Sequence, residues 1–140
     1  VRDLDAVLDT SAIICLLEDE AGADVVEQKL RSARAGKIQL GASCVSLTEV
    51  FYKTYQCEGA EQANHLIAVI KSWPLEFIYP DEALCLLAGE IKASFAVSFA
   101  DAFVAATAQQ SAALLIHKDP EFETLRTSVK LKALPYKTPR

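Results

Sequence analysis

The sequence predicts a single α/β domain, a parallel sheet covered by helices on both faces. Three observations point there. Short apolar runs of strand length alternate with longer stretches whose apolar residues recur at helical spacing. The runs at 6–8 and 113–116 are apolar throughout rather than alternating, as expected of strands buried on both faces. No internal repeat, low-complexity tract or Gly/Ser linker divides the chain. Its 140 residues, 51% of them hydrophobic, suit one domain that buries roughly 70% of its unfolded surface. The domain is expected over residues 1–134, followed by a loose tail over 135–140.

Ala6, Val7 and Leu8 read as the first strand, and Asp9, Thr10 and Ser11 turn the chain into a helix carrying Ile13, Ile14, Leu16 and Leu17. The acidic run at 18–20 and Gly22 break that helix. A second helix spans about 23–35, with Gly36 as its C-terminal cap. Residues 38–42 read as the second strand, and residues 43–46 turn into a third helix reaching about Gln56. Gly59 separates it from a fourth, where Ala63, Leu66, Ile67 and Ile70 share a face until Trp73-Pro74. The third strand is 75–78. Pro80-Asp81 then opens a fifth helix with Leu84, Leu87, Ala88 and Ile91 on one side. A sixth begins near Phe99, with Phe99, Ala102, Phe103 and Ala106 as its apolar stripe. Residues 113–117 form a fourth strand, Asp119-Pro120 starts a short helix to about Arg126, and 129–134 is an edge strand.

No apolar run approaches the ~18–20 residues a membrane span needs. The chain begins on Val1 and holds no methionine, and no basic-then-apolar leader precedes the first strand, so the expected compartment is the cytoplasm. Cys15, Cys44, Cys57 and Cys85 are widely spaced among apolar residues, which predicts reduced, buried thiols and no zinc site. A net charge of −5 argues against general DNA coating but leaves room for a nucleic-acid enzyme with a local basic patch. Lys29, Arg31, Arg34 and Lys37 are one candidate patch for RNA phosphates, although basic residues there also complement a helix C-terminus. A second basic group comprises Lys118, Arg126, Lys130, Lys132, Lys137 and Arg140.

Four acids carry the candidate chemistry: Asp9, Glu49, Asp101 and Asp119. Each has a local explanation. Asp9 suits a helix N-cap. Glu49 stands three residues after Ser46, and Asp101 three after Ser98, both at capping-box spacing. Asp119 precedes a proline at a helix start. Together they say more, because caps do not require four acids. Asp9 and Asp119 directly follow buried strands, and in a parallel sheet such positions share one edge, where α/β proteins bind ligands. Carboxylates gathered there repel one another, and a divalent cation relieves that. Oxygen ligands without a His or Cys cluster suit Mg²⁺ or Mn²⁺.

Leu8-Asp9-Thr10-Ser11, Leu47-Thr48-Glu49-Val50, the run from Ser98 through Asp101 to Ala108, and Asp119-Pro120-Glu121-Phe122 resemble the PIN-domain ribonucleases. They look most like the VapC-type toxins of prokaryotic toxin–antitoxin pairs. The resemblance covers nearly the whole chain in order. It implies a three-layer fold with strand order 3-2-1-4-5, one or two Mg²⁺ or Mn²⁺ ions held by Asp9, Glu49, Asp101 and Asp119, and RNA cleavage by metal-activated water that leaves a 5′-phosphate and a 3′-hydroxyl. By the same resemblance Thr10 and Ser11 orient Asp9, Glu49 ligates through water or acts as general base, and the chain forms homodimers silenced by a cognate antitoxin. The apolar first and fifth helices offer surfaces for these partners, and core packing explains them equally well.

One position departs from the family pattern. Where a Thr, Ser or Asn usually stands two residues before the last acid, this chain has His117, followed by Lys118. His117 is expected as a hydrogen-bond donor behind the carboxylates, as a metal ligand, or as a residue pointing elsewhere. Lys118 is expected to offset carboxylate charge or to touch a phosphate. His65 lies away from any acidic motif and is read as surface or packing. No Ser-His-Asp arrangement supports acyl transfer, no Gly-rich loop supports nucleotide binding, and Ser11 stands where haloacid-dehalogenase-like phosphatases carry a second Asp. The alternatives are an RNA-processing PIN nuclease outside a toxin system, a PIN-like module that binds RNA or a partner without cutting, and a receiver-like or phosphatase-like domain.

Overall fold

The computed structural model describes residues 3–137. β1 (Ala6–Leu8) buries both faces: Ala6 and Leu8 enter one core and Val7 the other. β2 (Leu40–Ser43) and β4 (Leu114–His117) pair with β1 on either side. β3 (Glu76–Ile78) and β5 (Lys130–Ala133) complete a five-stranded, all-parallel sheet of order β3-β2-β1-β4-β5, as expected. The strand order reverses between β1 and β4, which opens a crevice at their C-terminal ends.

Helices cover both faces. α1 (Thr10–Leu17), α2 (Ala23–Arg34), α3 (Val45–Glu58) and α4 (Ala60–Lys71) carry one layer, whose core includes Leu8, Ile13, Val26, Leu40, Ile70 and Ile116. α5 (Glu82–Ser94), α6 (Phe99–Gln110) and a 3₁₀ helix (Pro120–Leu125) carry the other, around Val7, Leu84, Ile91, Leu115 and Phe122. The alanine run of α6, buried from Val104 to Ala108, lets that helix lie close on the sheet. Gly36 ends α2 at φ 76°, where its N–H and that of Lys37 reach back to the carbonyls of Ala33 and Ser32.

Several local expectations shift. Residues 38–39 lead into β2 rather than belonging to it, because Gln39 exchanges bonds with Asp5: its N–H donates to the Asp5 carboxylate and its carbonyl accepts the Asp5 N–H. Ser43, expected in the turn, is instead a buried strand residue paired with Ile78. α3 begins at Val45, so Ser46 lies inside the helix and forms no capping box with Glu49. Phe99 is 69% exposed, because at the first turn of α6 it stacks on Phe103 instead of entering the core. All four cysteines are free, but only Cys15 is buried; Cys57 and Cys85 are exposed. Cys85 directly follows the inward Leu84, which turns it to the solvent side of α5. His65 is exposed on α4.

The tail beyond residue 134 makes contacts as far as it is described. Tyr136 donates its hydroxyl to Glu123, and Lys137 pairs with Glu20. Residues 138–140, including Arg140 of the second basic group, lie outside the described residues. No helix of the described residues is long and apolar enough to cross a membrane.

Candidate functional site

Asp9, Glu49, Asp101 and Asp119 line one cavity of about 280 Å³ at the C-terminal edge of the sheet. β1 delivers Asp9 there, and the backbone N–H of Asp9 still pairs with the Ile116 carbonyl of β4. Asp9 is also the N-cap of α1, accepting the Ala12 N–H at 2.7 Å. The cap and the site are therefore one feature. Ser11 Oγ lies 2.8 and 2.7 Å from the two Asp9 oxygens and accepts the Lys118 backbone N–H at 2.8 Å. Through Ser11, which stands 107 residues before Lys118 in the chain, the end of β4 fixes the rotamer of Asp9.

Thr10 Oγ1 donates to Glu49 Oε1 at 2.6 Å and lies 2.9 Å from Ser46 Oγ. Thr10 has one hydroxyl proton, and the Glu49 carboxylate only accepts, so Ser46 is the donor to Thr10. The Ser46–Thr10–Glu49 relay replaces the expected capping box and ties α3 to α1.

Asp101 stands in the first turn of α6, where its N–H donates to the N-cap Ser98. Asp119 caps the 3₁₀ helix by accepting the Glu121 N–H at 2.9 Å. The same turn brings in an acid that the sequence analysis did not single out. Carboxylate oxygens of Asp101, Asp119 and Glu121 all lie within 4.8 Å of one another, while Asp9 and Glu49 line the cavity outside that cluster. The spacing Asp-Pro-Glu was a usable signal, since a proline-started turn places residues two apart on either side of one helix start.

The electrostatics follow from burial and crowding. Burial pushes the Asp9 carboxyl up to about 7, against the opposing bonds from Ser11 and Ala12, and the charge of Asp119 adds to the rise. Asp101 is pushed up to about 8, first by burial, then by its hydrogen bond with Glu121 and by the charges of Glu121, Asp119 and Asp9. Two carboxyls that hold protons near neutral pH mark a place short of positive charge.

His117 is fully buried and does not line the cavity. Its ring packs against Phe122 and Tyr136, and its Nδ1 accepts the Asp119 N–H at 3.2 Å. Of the three roles expected, the donor and the ligand are not what it does: the ring points elsewhere and meets the site only through the Asp119 amide. Burial lowers its pKa, which keeps the ring neutral with its proton on Nε2. Lys118 lines the cavity, with its ammonium on Glu20 and the Ala21 carbonyl rather than on the cluster. Lys29, Arg31, Arg34 and Lys37 do not line the cavity. They lie along α2 and its exit, which leads to the N-terminal end of β2, the opposite edge of the sheet. The lysines that do line it are Lys53, Lys118 and Lys137.

The family model of the PIN domain matches residues 6–127. The chain belongs to the PIN-domain family. No curated protein matches it. Solved structures share the PIN fold along nearly its whole length. VapBC2 from Rickettsia felis, bound to a DNA fragment from their promoter, is 18% identical with a TM-score of 0.74, over 93% of this chain and 98% of that one. VapBC-5 from Mycobacterium tuberculosis, a member of the VapBC family of toxin-antitoxin systems, is 17% identical with a TM-score of 0.63, over 93% and 98%. VapC20 from the same organism, a sarcin-ricin loop cleaving toxin, is 19% identical with a TM-score of 0.64, over 84% and 92%. At these identities the likeness is one of fold.

Proposed function

We propose that this PIN domain is a metal-dependent endoribonuclease, the toxin of a toxin–antitoxin pair. The observation that carries the reading is the convergence of Asp9, Glu49, Asp101 and Asp119 on one cavity of a PIN fold, with a Glu121 oxygen within 4.8 Å of those of Asp101 and Asp119. The donor set fits Mg²⁺ or Mn²⁺: every candidate ligand is a carboxylate oxygen, and burial and neighbouring carboxylates hold two of the carboxyls far above their ordinary range, which a divalent cation would relieve. Asp9, Asp101, Asp119 and Glu121 would hold the ion. Bound there, it supplies water activation and charge neutralisation at a phosphodiester.

The chain's own residues supply the rest. Ser11 and the Ala12 N–H hold Asp9 in one orientation. Thr10 fixes Glu49, leaving its second oxygen free to take a proton from a water facing the cavity. The 3₁₀ helix keeps Asp119 and Glu121 on one rim, and His117 holds the Asp119 amide from behind. The VapBC and VapC20 neighbours support the toxin assignment and, with it, a homodimer and a cognate antitoxin as partners.

Purified protein given single-stranded RNA and Mg²⁺ or Mn²⁺ is expected to cut it, leaving 5′-phosphate and 3′-hydroxyl ends, and EDTA is expected to stop the reaction. RNA left intact with both metals would overturn the nuclease reading. Ser11→Ala removes the hydroxyl that orients Asp9, and roughly a 10–100-fold drop in cleavage rate or metal affinity is expected. Isothermal titration with Mn²⁺ beside the cleavage assay measures both; wild-type values in each would show that Asp9 needs no such support.

A further inference from the structure

The cavity has a cationic side that metal binding leaves unused. Lys118, whose side chain is 4% exposed, places Nζ 3.2 Å from one Glu20 oxygen and donates to the Ala21 carbonyl at 2.9 Å. Lys137, whose side chain is 74% exposed, reaches the other Glu20 oxygen at 2.9 Å. Glu20 thus holds an ammonium group on each oxygen. It sits in the turn between α1 and α2, flanked by two left-handed residues, Asp19 and Gly22. Lys53 lies one helical turn beyond Glu49 on α3, lines the same cavity, and makes no ion pair among the described residues.

A carboxylate presenting two anionic oxygens to two ammonium groups has the charge pattern of a phosphodiester. The two lysines differ in what they can give up. Lys118 is buried and also held by a carbonyl, so it stays with Glu20. Lys137 is exposed, and exposed ion pairs contribute little, so it exchanges one anion for another at small cost. We propose that Lys137 and Lys53 grip a backbone phosphate of the RNA beside the acidic centre, and that Glu20 is the resident anion which this phosphate replaces at Lys137. The inference rests on the nuclease reading for its substrate. It also moves the RNA contacts from α2 to the cavity itself.

The test is fluorescence anisotropy of a labelled single-stranded RNA across a salt series, with Ca²⁺ replacing Mg²⁺. Lys137→Ala and Lys53→Ala are each expected to weaken binding by about 3–10-fold and to flatten the salt dependence by roughly 0.7 in log–log slope. Glu20→Gln is expected to tighten binding by about 2–5-fold, a gain that disappears when Lys137→Ala is added. Lys29→Ala and Arg34→Ala are expected to bind as wild type. Lys137→Gln and Lys53→Gln, which keep most of each side chain, guard against a folding defect in the alanine variants. Unchanged slopes in the Lys137 and Lys53 variants would overturn the phosphate grip, and unchanged or weaker binding by Glu20→Gln would overturn the exchange. Wild-type protein that cuts RNA while the slopes stay unchanged refutes this inference alone. Shifted slopes in a protein that never cuts RNA refute the nuclease reading and leave the phosphate site standing.

Discussion

Asp9→Asn is expected to reduce RNA cleavage by roughly 100–1000-fold, the equivalent of about 3–4 kcal/mol of lost transition-state stabilisation. The same substitution separates the two explanations of this residue. As an N-cap, Asn is as good as Asp: its side-chain oxygen still accepts the Ala12 N–H and the Ser11 hydroxyl. As a metal ligand it is not, since the amide carries no charge. Fold and activity should therefore move in opposite directions. The Asp9 carboxyl is 3% exposed and pushed up to about 7 by burial, so its ionised form is a liability in metal-free protein. At pH 8 without metal, Asp9→Asn is expected to gain on the order of 2 kcal/mol in urea unfolding. A variant that is both inactive and destabilised would mean that Asp9 serves the fold rather than the ion.

This overlap explains how the sequence was legible. The central strands were readable because β1 and β4 are buried on both faces, which leaves unbroken apolar runs at 6–8 and 114–116. The helix periods of α4 and α5 were readable because one face alone is buried. The boundaries slipped where a polar residue is inside, as at Ser43 and Ser46, since a buried hydroxyl satisfied by a neighbour looks like a turn residue in a linear reading. Phe99 misled in the opposite sense, an aromatic residue at helical spacing that the helix start leaves in solvent.

At the cavity, the meeting of Asp9, Asp101 and Asp119 was legible because each follows a strand or opens a helix at one sheet edge, whereas Glu49 reaches it from the second turn of α3. Glu121 was missed because its significance is purely spatial: the turn after Asp119 folds it towards Asp101, a residue on another element. Lys53 was missed for a similar reason, and Lys137 was read only as one member of the basic group at 118–140. Charge clusters along the chain drew attention to 29–37, whereas the cavity draws its lysines singly from α3, β4's end and the tail. Local density of charge is a poor guide when the fold gathers isolated residues.

The second large effect is the coupling of pH, metal and stability. A carboxyl whose folded pKa lies above its unfolded value binds a proton that the unfolded chain has already released. Stability then falls as pH rises from the ordinary carboxylate range, near 4, through the folded pKa, and levels off above it. For Asp9 and Asp101 the window runs from about 4 to about 7 and 8 respectively. Metal-free protein is expected to lose stability across that window, by a few kcal/mol from Asp9 and less from the more exposed Asp101. Mg²⁺ or Mn²⁺ competes with those protons, so its stabilisation should grow over the same range. With the ion at about 100 times its Kd the gain is about 2.7 kcal/mol, which corresponds to roughly 5–10 °C in Tm for a domain of this size. Differential scanning fluorimetry with and without Mn²⁺ should therefore show a small shift at pH 5 and a large one at pH 8, and Asp9→Asn should shrink the shift at pH 8. A metal-induced shift of the same size at both pH values would mean that the ion binds elsewhere than among these protonated carboxyls.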